Sequence, residues 1–304
     1  MMRATSPCAA HRPADGPANG RSSESGEDQM SIPQFSAGTS ASDIAEALGE
    51  AGCAVVTGLM DAELRQSIRD ELAPHMANAR VIEDDDPTKF YPGRTRRVSA
   101  LVVRSPTVTD RLVAHPLSRH VCDTHLRPNG EHGYQLHVSA TVEVGPGARE
   151  QVLHREEDSF TFFPLPRPNI IVASIWAVTG FRADNGATLG VPGSHQWPAD
   201  RKARPEEILS AAMPAGAVLF WMGGTLHGAG ANRSQDWRYG VILIYSLGWV
   251  RQEENQYLDV PQERMAELSP EVRRLLGFDM YAGLGFYDPT IASMTSTTSM
   301  GQPS

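Results

Sequence analysis

The chain has 304 residues, 40% of them hydrophobic, which is enough to bury one large all-β or α/β core. Its net charge of −9, with basic residues scattered in ones and twos, excludes a general nucleic-acid binder, because phosphate affinity needs clustered Lys and Arg. Three widely spaced cysteines, Cys8, Cys53 and Cys122, form neither a disulfide framework nor a CxxC metal site, and no run reaches the roughly 18 apolar residues of a membrane span, so a soluble, cytoplasmic protein is expected.

Residues 1–30 are rich in Ala, Ser, Gly, Pro and charge, with Met30 the only large apolar side chain after the starting methionines. They cannot offset the entropy of ordering, and a disordered tail is expected, with Glu24, Glu27 and Asp28 arguing against a transit peptide. A helix is predicted from Ser40, capped at Ser42-Asp43, with Ile44, Ala45 and Leu48 on one face and Gly49 and Gly52 stopping it. A short strand, Cys53 to Thr57, follows. Asp61 opens a second helix with Leu64, Ile68 and Leu72 at spacing four, and Pro74 is expected to end it.

After the acidic loop Glu83 to Asp86 the pattern turns to strands. Val98 to Val103, Tyr134 to Val144, Ile170 to Val178, Ala217 to Trp221 and Tyr239 to Leu247 are β-branched or aromatic runs separated by Gly, Pro and Asn. A brief helix is expected over Pro205 to Ala212. Many strands with short turns after a helical start predict a mainly β sandwich or barrel with flanking helices, in one catalytic domain over residues 31–289. From Thr290 to the end, Ser, Thr and Met predict a loose tail.

His154 and Glu156 stand two apart, so on an extended strand both side chains would leave the same face and share one metal. With ten histidines and 36 acidic residues in the chain, one such pair is expected by chance. An exposed polar stretch would suit Arg155, Glu157 and Asp158 equally well. The second signal is His227, at the end of an apolar strand entering a Gly-rich turn, followed by Arg238 at the start of the apolar run Tyr-Gly-Val-Ile-Leu-Ile-Tyr. Two His and one carboxylate make the facial set that leaves positions open on Fe(II). A guanidinium inside an apolar strand calls for an anion, and its planar fork matches a carboxylate; an Arg in water at a strand edge fits the spacing equally.

Taken together, Gln151-x-x-His154-x-Glu156, Asn185-Gly-Ala-Thr188 leading to Pro192-Gly-Ser-His195, His227, and Arg238 eleven residues later resemble the phytanoyl-CoA dioxygenase family of Fe(II)/2-oxoglutarate oxygenases, over roughly residues 35–260. The resemblance implies a double-stranded β-helix (jelly-roll, cupin-like) core and metal ligands at His154, Glu156 and His227. It also implies 2-oxoglutarate contacts from Gln151, Thr188 and Arg238, with O2 as the oxidant. The family usually has His-x-Asp where this chain has the longer Glu156. On a regular strand Gln151 would face away from His154, so its role requires a bend. His195 reads as a turn or packing residue, not a fourth ligand.

The expected activity is oxidation, by default hydroxylation, of a C–H bond in a small, apolar or polycyclic metabolite, with release of succinate and CO2. Desaturation, cyclisation and epimerisation are variants; halogenation is disfavoured because Glu156 takes the place a halide needs. Phe90, Tyr91, Arg94, Arg97, Phe160, Phe162, Trp176 and Trp221 are candidate pocket residues, though each suits the core as well. The partner is a small molecule, with no nucleic acid or membrane, and a homodimer enters only from the resemblance. Two other readings stay open: a catalytically silent barrel that binds metal or a carboxylate, and a zinc hydrolase, which would leave Arg238 without a role.

Overall fold

Ser40 begins the first ordered helix of the computed structural model, which describes residues 31–84, 90–160, 162–286 and 288. The tails expected at 1–30 and from Thr290 lie outside the described residues, as do Asp85 and Asp86 of the acidic loop. Strand β1 (Gln34–Ser36) precedes helix α1 (Ala41–Ala51). The Ser40 hydroxyl accepts from Asp43 N at 3.1 Å, so the cap falls two residues before the expected one. Gly52, at φ 75°, closes the helix in the left-handed conformation that glycine adopts without strain.

Strand β2 (Cys53–Thr57) lies as expected, and Asp61 caps α2 (Ala62–Ala77) by accepting from Leu64 N at 2.8 Å. Pro74 does not end α2, which runs one further turn. Asp70 is exposed, so water can serve the carbonyl that Pro74 leaves without a donor, while the added turn buries Met76. The strands β3 (Val81–Ile82) and β4 (Thr95–Ser99) come next. The strand expected to reach Val103 stops at Ser99: Ala100 sits at φ 56° and Leu101 starts α3 (Leu101–Arg104), followed by α4 (Pro106–Val108) and α5 (Pro116–His125).

The remaining strands are β5 (Tyr134–Val144), β6 (Ile171–Ala177), β7 (Thr188–Gly190), β8 (Leu209–Ser210), β9 (Val218–Met222), β10 (His227–Ala229) and β11 (Arg238–Leu247). The helix expected at Pro205 to Ala212 is one 3-10 turn, Pro205–Glu207, before β8. Its apolar residues are too few to bury a helical face. Short helices α6 (Gln256–Asp259), α7 (Gln262–Glu267) and α8 (Pro270–Leu275) follow β11.

The larger sheet has eight strands in the order β1, β2, β9, β6, β11, β5, β4, β3, antiparallel except for the β1–β2 pair. The smaller has β10, β7 and β8. A cavity is lined from both, by Val142, Ile175 and Ile242 of the large sheet and by Thr188 and His227 of the small one. Two antiparallel sheets around a cavity, with helices outside, make the double-stranded β-helix, or jelly roll. One apolar cluster joins Ile44, Leu48, Ile68, Leu72 and Val121 of the helices to Trp176, Phe220 and Tyr245 of the strands. Each such side chain contributes about 1.5–3 kcal/mol on burial, which holds the sheets as a rigid frame for the site.

Candidate active site

One ligand atom from each of His154, Glu156 and His227 lies within 4.8 Å of the others. The pair two residues apart does not converge by strand alternation. His154 makes an isolated bridge to His227, with paired backbone hydrogen bonds of 3.0 Å in both directions, and Glu156 then opens a 3-10 turn. Of the residues that an exposed polar stretch would also suit, Asp158 is exposed but Arg155 and Glu157 are anchored inside. Arg155 donates to Gly224 O at 2.9 Å, and Glu157 accepts from Ile170 N and Ile171 N at 2.9 and 3.0 Å; both are buried. Pinning 155 and 157 leaves Glu156 aimed at the cavity.

Each histidine orients itself on its own backbone. Nδ1 of His154 donates to Val152 O at 3.1 Å and Nδ1 of His227 to Thr225 O at 3.0 Å, which leaves each Nε2 as the nitrogen turned to the cavity. Nε2 of His227 lies 3.1 Å from Glu156 Oε1: with a proton that nitrogen donates to the carboxylate, and without one the two acceptors are left for a cation. Burial, then the nearby His227, lowers the His154 pKa and keeps its ring neutral. For Glu156 burial acts upward, but the His227 hydrogen bond and the two imidazoles outweigh it, and the carboxyl stays below its ordinary value. The donor set fits a divalent metal in its ligating protonation states. Phe90 lies edge-on to His154 with centroids 4.8 Å apart, and Trp221 covers His227 at 4.9 Å.

Arg238 is 2% exposed and lines the same cavity. Its Nε and Nη2 donate to Gly186 O at 2.9 and 2.7 Å, Phe181 lies 4.4 Å below its plane, and Nη1 is buried with no partner among the described residues. Burial pulls its pKa down to about 9, so it remains a cation at neutral pH. Among the described residues no carboxylate pairs with it. A buried cation with a spare donor beside a cavity fits an anionic carboxylate. The Asn185–Gly186 turn makes this possible: Asn185 accepts from Arg182 N at 2.7 Å and donates to Gly180 O at 2.9 Å, while Gly186 at φ 85° has its carbonyl on the guanidinium.

Thr188 lines the cavity from the start of β7. Gln151 lies on irregular backbone, not a strand, which removes the facing problem; its Oε1 accepts from Ala229 N at 3.0 Å and leaves the amide donors for the cavity. His195 is apart from the triad, with Nε2 3.0 Å from Gly49 O at the end of α1, a packing role as expected. The cavity, about 750 Å³, takes in Phe90, Tyr91, Arg97, Phe160 and Trp221. It does not include Arg94, which points outward to Asp84, Phe162, which is 88% exposed, or Trp176, which fills the core against Phe220. Sequence reasoning passed over His137 and the run Arg251, Gln252, Glu253, which also line it. In the sequence His137 is one of five alternating polar residues of β5, with Gln135, Ser139, Thr141 and Glu143, and nothing there singles it out.

Residues 48–240 match the phytanoyl-CoA dioxygenase (PhyH) family. The chain is 31% identical over 245 residues to "Dioxygenase aneA" of Aspergillus aculeatus, covering 77% of this chain and 81% of that protein. It is 30% identical over 260 residues to "Multifunctional dioxygenase prhA" of Penicillium brasilianum, covering 81% and 86%. Among solved structures it is similar to the non-heme alpha ketoglutarate dependent epimerase SnoN (TM-score 0.55, 20% identity, 68% of this chain and 81% of that one). The carbocyclase SnoK, also from nogalamycin biosynthesis, is similar too (TM-score 0.55, 18% identity, 76% and 94%). These two likenesses carry the jelly-roll fold. With the family matched over most of the chain and the metal and carboxylate sites fitting its chemistry, the chain belongs to the phytanoyl-CoA dioxygenase family of Fe(II)/2-oxoglutarate-dependent oxygenases.

Proposed function

We propose that His154, Glu156 and His227 hold Fe(II), that Arg238 holds the distal carboxylate of 2-oxoglutarate with Thr188 and Gln151 beside it, and that the enzyme hydroxylates a C–H bond of a small, largely apolar metabolite. The observation that carries this reading is the buried Arg238 whose Nη1 has no partner among the described residues, in the same cavity as the converging ligand atoms of His154, Glu156 and His227. When bound, iron, 2-oxoglutarate and O2 supply oxidation of the substrate coupled to formation of succinate and CO2. The chain's own residues position and exclude. The Gly186 carbonyl fixes the guanidinium plane, Phe181 blocks one of its faces, and Phe90 and Trp221 wall the histidines from water. Glu156 reaches the site from the start of a 3-10 turn. A hydrolase would leave Arg238 without an anion to bind. A cytoplasmic location and a homodimer are expectations from cysteine usage and from family likeness.

The test is spectroscopic. Anaerobic addition of Fe(II) and 2-oxoglutarate to the protein is expected to give the weak visible charge-transfer band of a chelated keto acid. A folded, iron-loaded protein that shows no band on adding 2-oxoglutarate would refute the reading.

A further inference from the structure

Strand β5 carries a β-bulge. Val138 pairs with Ile244 and Leu136 with Tyr245, so His137 has no partner on β11. An unpaired residue of this kind re-aims its side chain, and here the imidazole lines the cavity while its backbone carbonyl accepts from Glu254 N at 3.0 Å. Nδ1 lies 3.2 Å from Ser246 Oγ. Ser246 is fully buried, and that nitrogen is the acceptor available to its proton, so Nδ1 accepts and Nε2 carries the ring hydrogen. Nε2 has no hydrogen-bond partner among the described residues.

The bulge is held in place. Gln135 donates to Val250 O at 2.6 Å, Gln252 to Leu136 O at 2.7 Å, and Glu254 accepts from Ser139 N and Oγ at 2.9 and 2.8 Å. The 250–254 segment is thus laced along β5 on both sides of His137. Position along the strand shows what His137 does not bind. Arg238 pairs with Val144, seven residues from His137, a span of about 20 Å at roughly 3.3 Å per residue. A cosubstrate held by Arg238 cannot reach that far.

The surroundings indicate an uncharged ligand. Phe90, Phe160, Trp221 and Ile244 supply apolar wall. Arg97 is already bound to Tyr91 Oη at 2.6 Å and to Glu253 at 3.1 Å, and the carboxylates of Glu156 and Asp158 on the lining disfavour an anion. Burial lowers the His137 pKa to about 4, so the ring is a neutral donor.

We propose that His137 is a substrate-positioning residue, its Nε2–H donating a hydrogen bond to an uncharged oxygen acceptor, a carbonyl or ether, on an otherwise apolar polycyclic substrate. This rests on the iron and 2-oxoglutarate assignment above. The test uses the anaerobic Fe(II)–2-oxoglutarate complex and follows the shift of its charge-transfer band as ring compounds are added. The probes are bicyclic to tetracyclic ketones, each beside its parent hydrocarbon and a matching carboxylate. Ketones are expected to bind about tenfold or more tighter than their hydrocarbons. His137→Phe should erase that advantage and leave hydrocarbon affinity, 2-oxoglutarate affinity and band intensity unchanged. His137→Gln, which keeps a donor, should restore part of it. A ketone advantage that survives His137→Phe, tightest binding by the carboxylates, or no ketone binding with the band intact each overturns the proposal. Loss of the band itself would overturn the cosubstrate assignment first, a different failure.

Discussion

The two ends of the cavity are built on opposite electrostatic terms. At one, Arg238 is buried with a spare donor and no acid among the described residues; at the other, His137 is neutral, and Arg97 on the wall between is paired with Glu253 and Tyr91. The first end is costly until an anion arrives, so it selects a charged cosubstrate sharply. The second carries little net demand and selects by shape and one hydrogen bond, which suits a neutral skeleton.

Arg238→Met should break the first end. We expect 2-oxoglutarate affinity to fall about 100-fold or more, since truncating one side of a buried charge pair costs about 2–5 kcal/mol. Fe(II) binding without cosubstrate should be unchanged, and equal loss of both in parallel titrations would contradict the division of the cavity.

A smaller effect is expected from Gly52→Ala, which acts on the frame. Gly52 O accepts from Thr225 Oγ1 at 2.7 Å, two residues before His227, and a Cβ at Gly52 would strike His195 and lie 2.7 Å from that hydroxyl. Left-handed backbone and overpacking together should cost about 2–3 kcal/mol in denaturant unfolding. Iron affinity should fall with it because Thr225 O orients the His227 ring. Unaltered iron affinity in a destabilised variant would separate the frame from the metal end.

The smallest effect concerns His137. Its pKa is lowered by burial from 6.5 to about 4, so between those values the unfolded chain binds a proton that the native one does not. Stability is therefore full above pH 6.5 and is lost as pH falls toward 4. His137→Phe should flatten this loss by on the order of 1 kcal/mol, measured as unfolding free energy against pH. An identical pH slope in the variant would mean that the ring is solvated and not a cavity donor.

The legible parts of the chain were those whose cause is local. Tyr134 to Val144 reads as a strand because β-branched and aromatic residues fill it, and its bounds agree with β5. Order and spacing singled out His154, Glu156, His227 and Arg238, which the structure brings to one cavity. What failed was set by distant partners. The turn at Ala100 has no glycine to announce it; Ala100 N donates to the Glu254 carboxylate and Leu101 N to Ser139 Oγ at 3.1 Å, so tertiary hydrogen bonds end β4. Helix α5 was hidden by Ser, His and Arg, although Leu117 and Val121 stand four apart and are buried. His137 was unreadable because a bulge is a property of two strands in register, and only one of them passes through residue 137.

Both histidine ligands take their orientation from the carbonyl two residues earlier in the chain. A carbonyl is carried by every amino acid, so no substitution at Val152 or Thr225 can delete the acceptor, only displace it. The orientation of these two rings is thereby insulated from point mutation at either position, and side chains of the cavity wall can change without moving the acceptors that hold them.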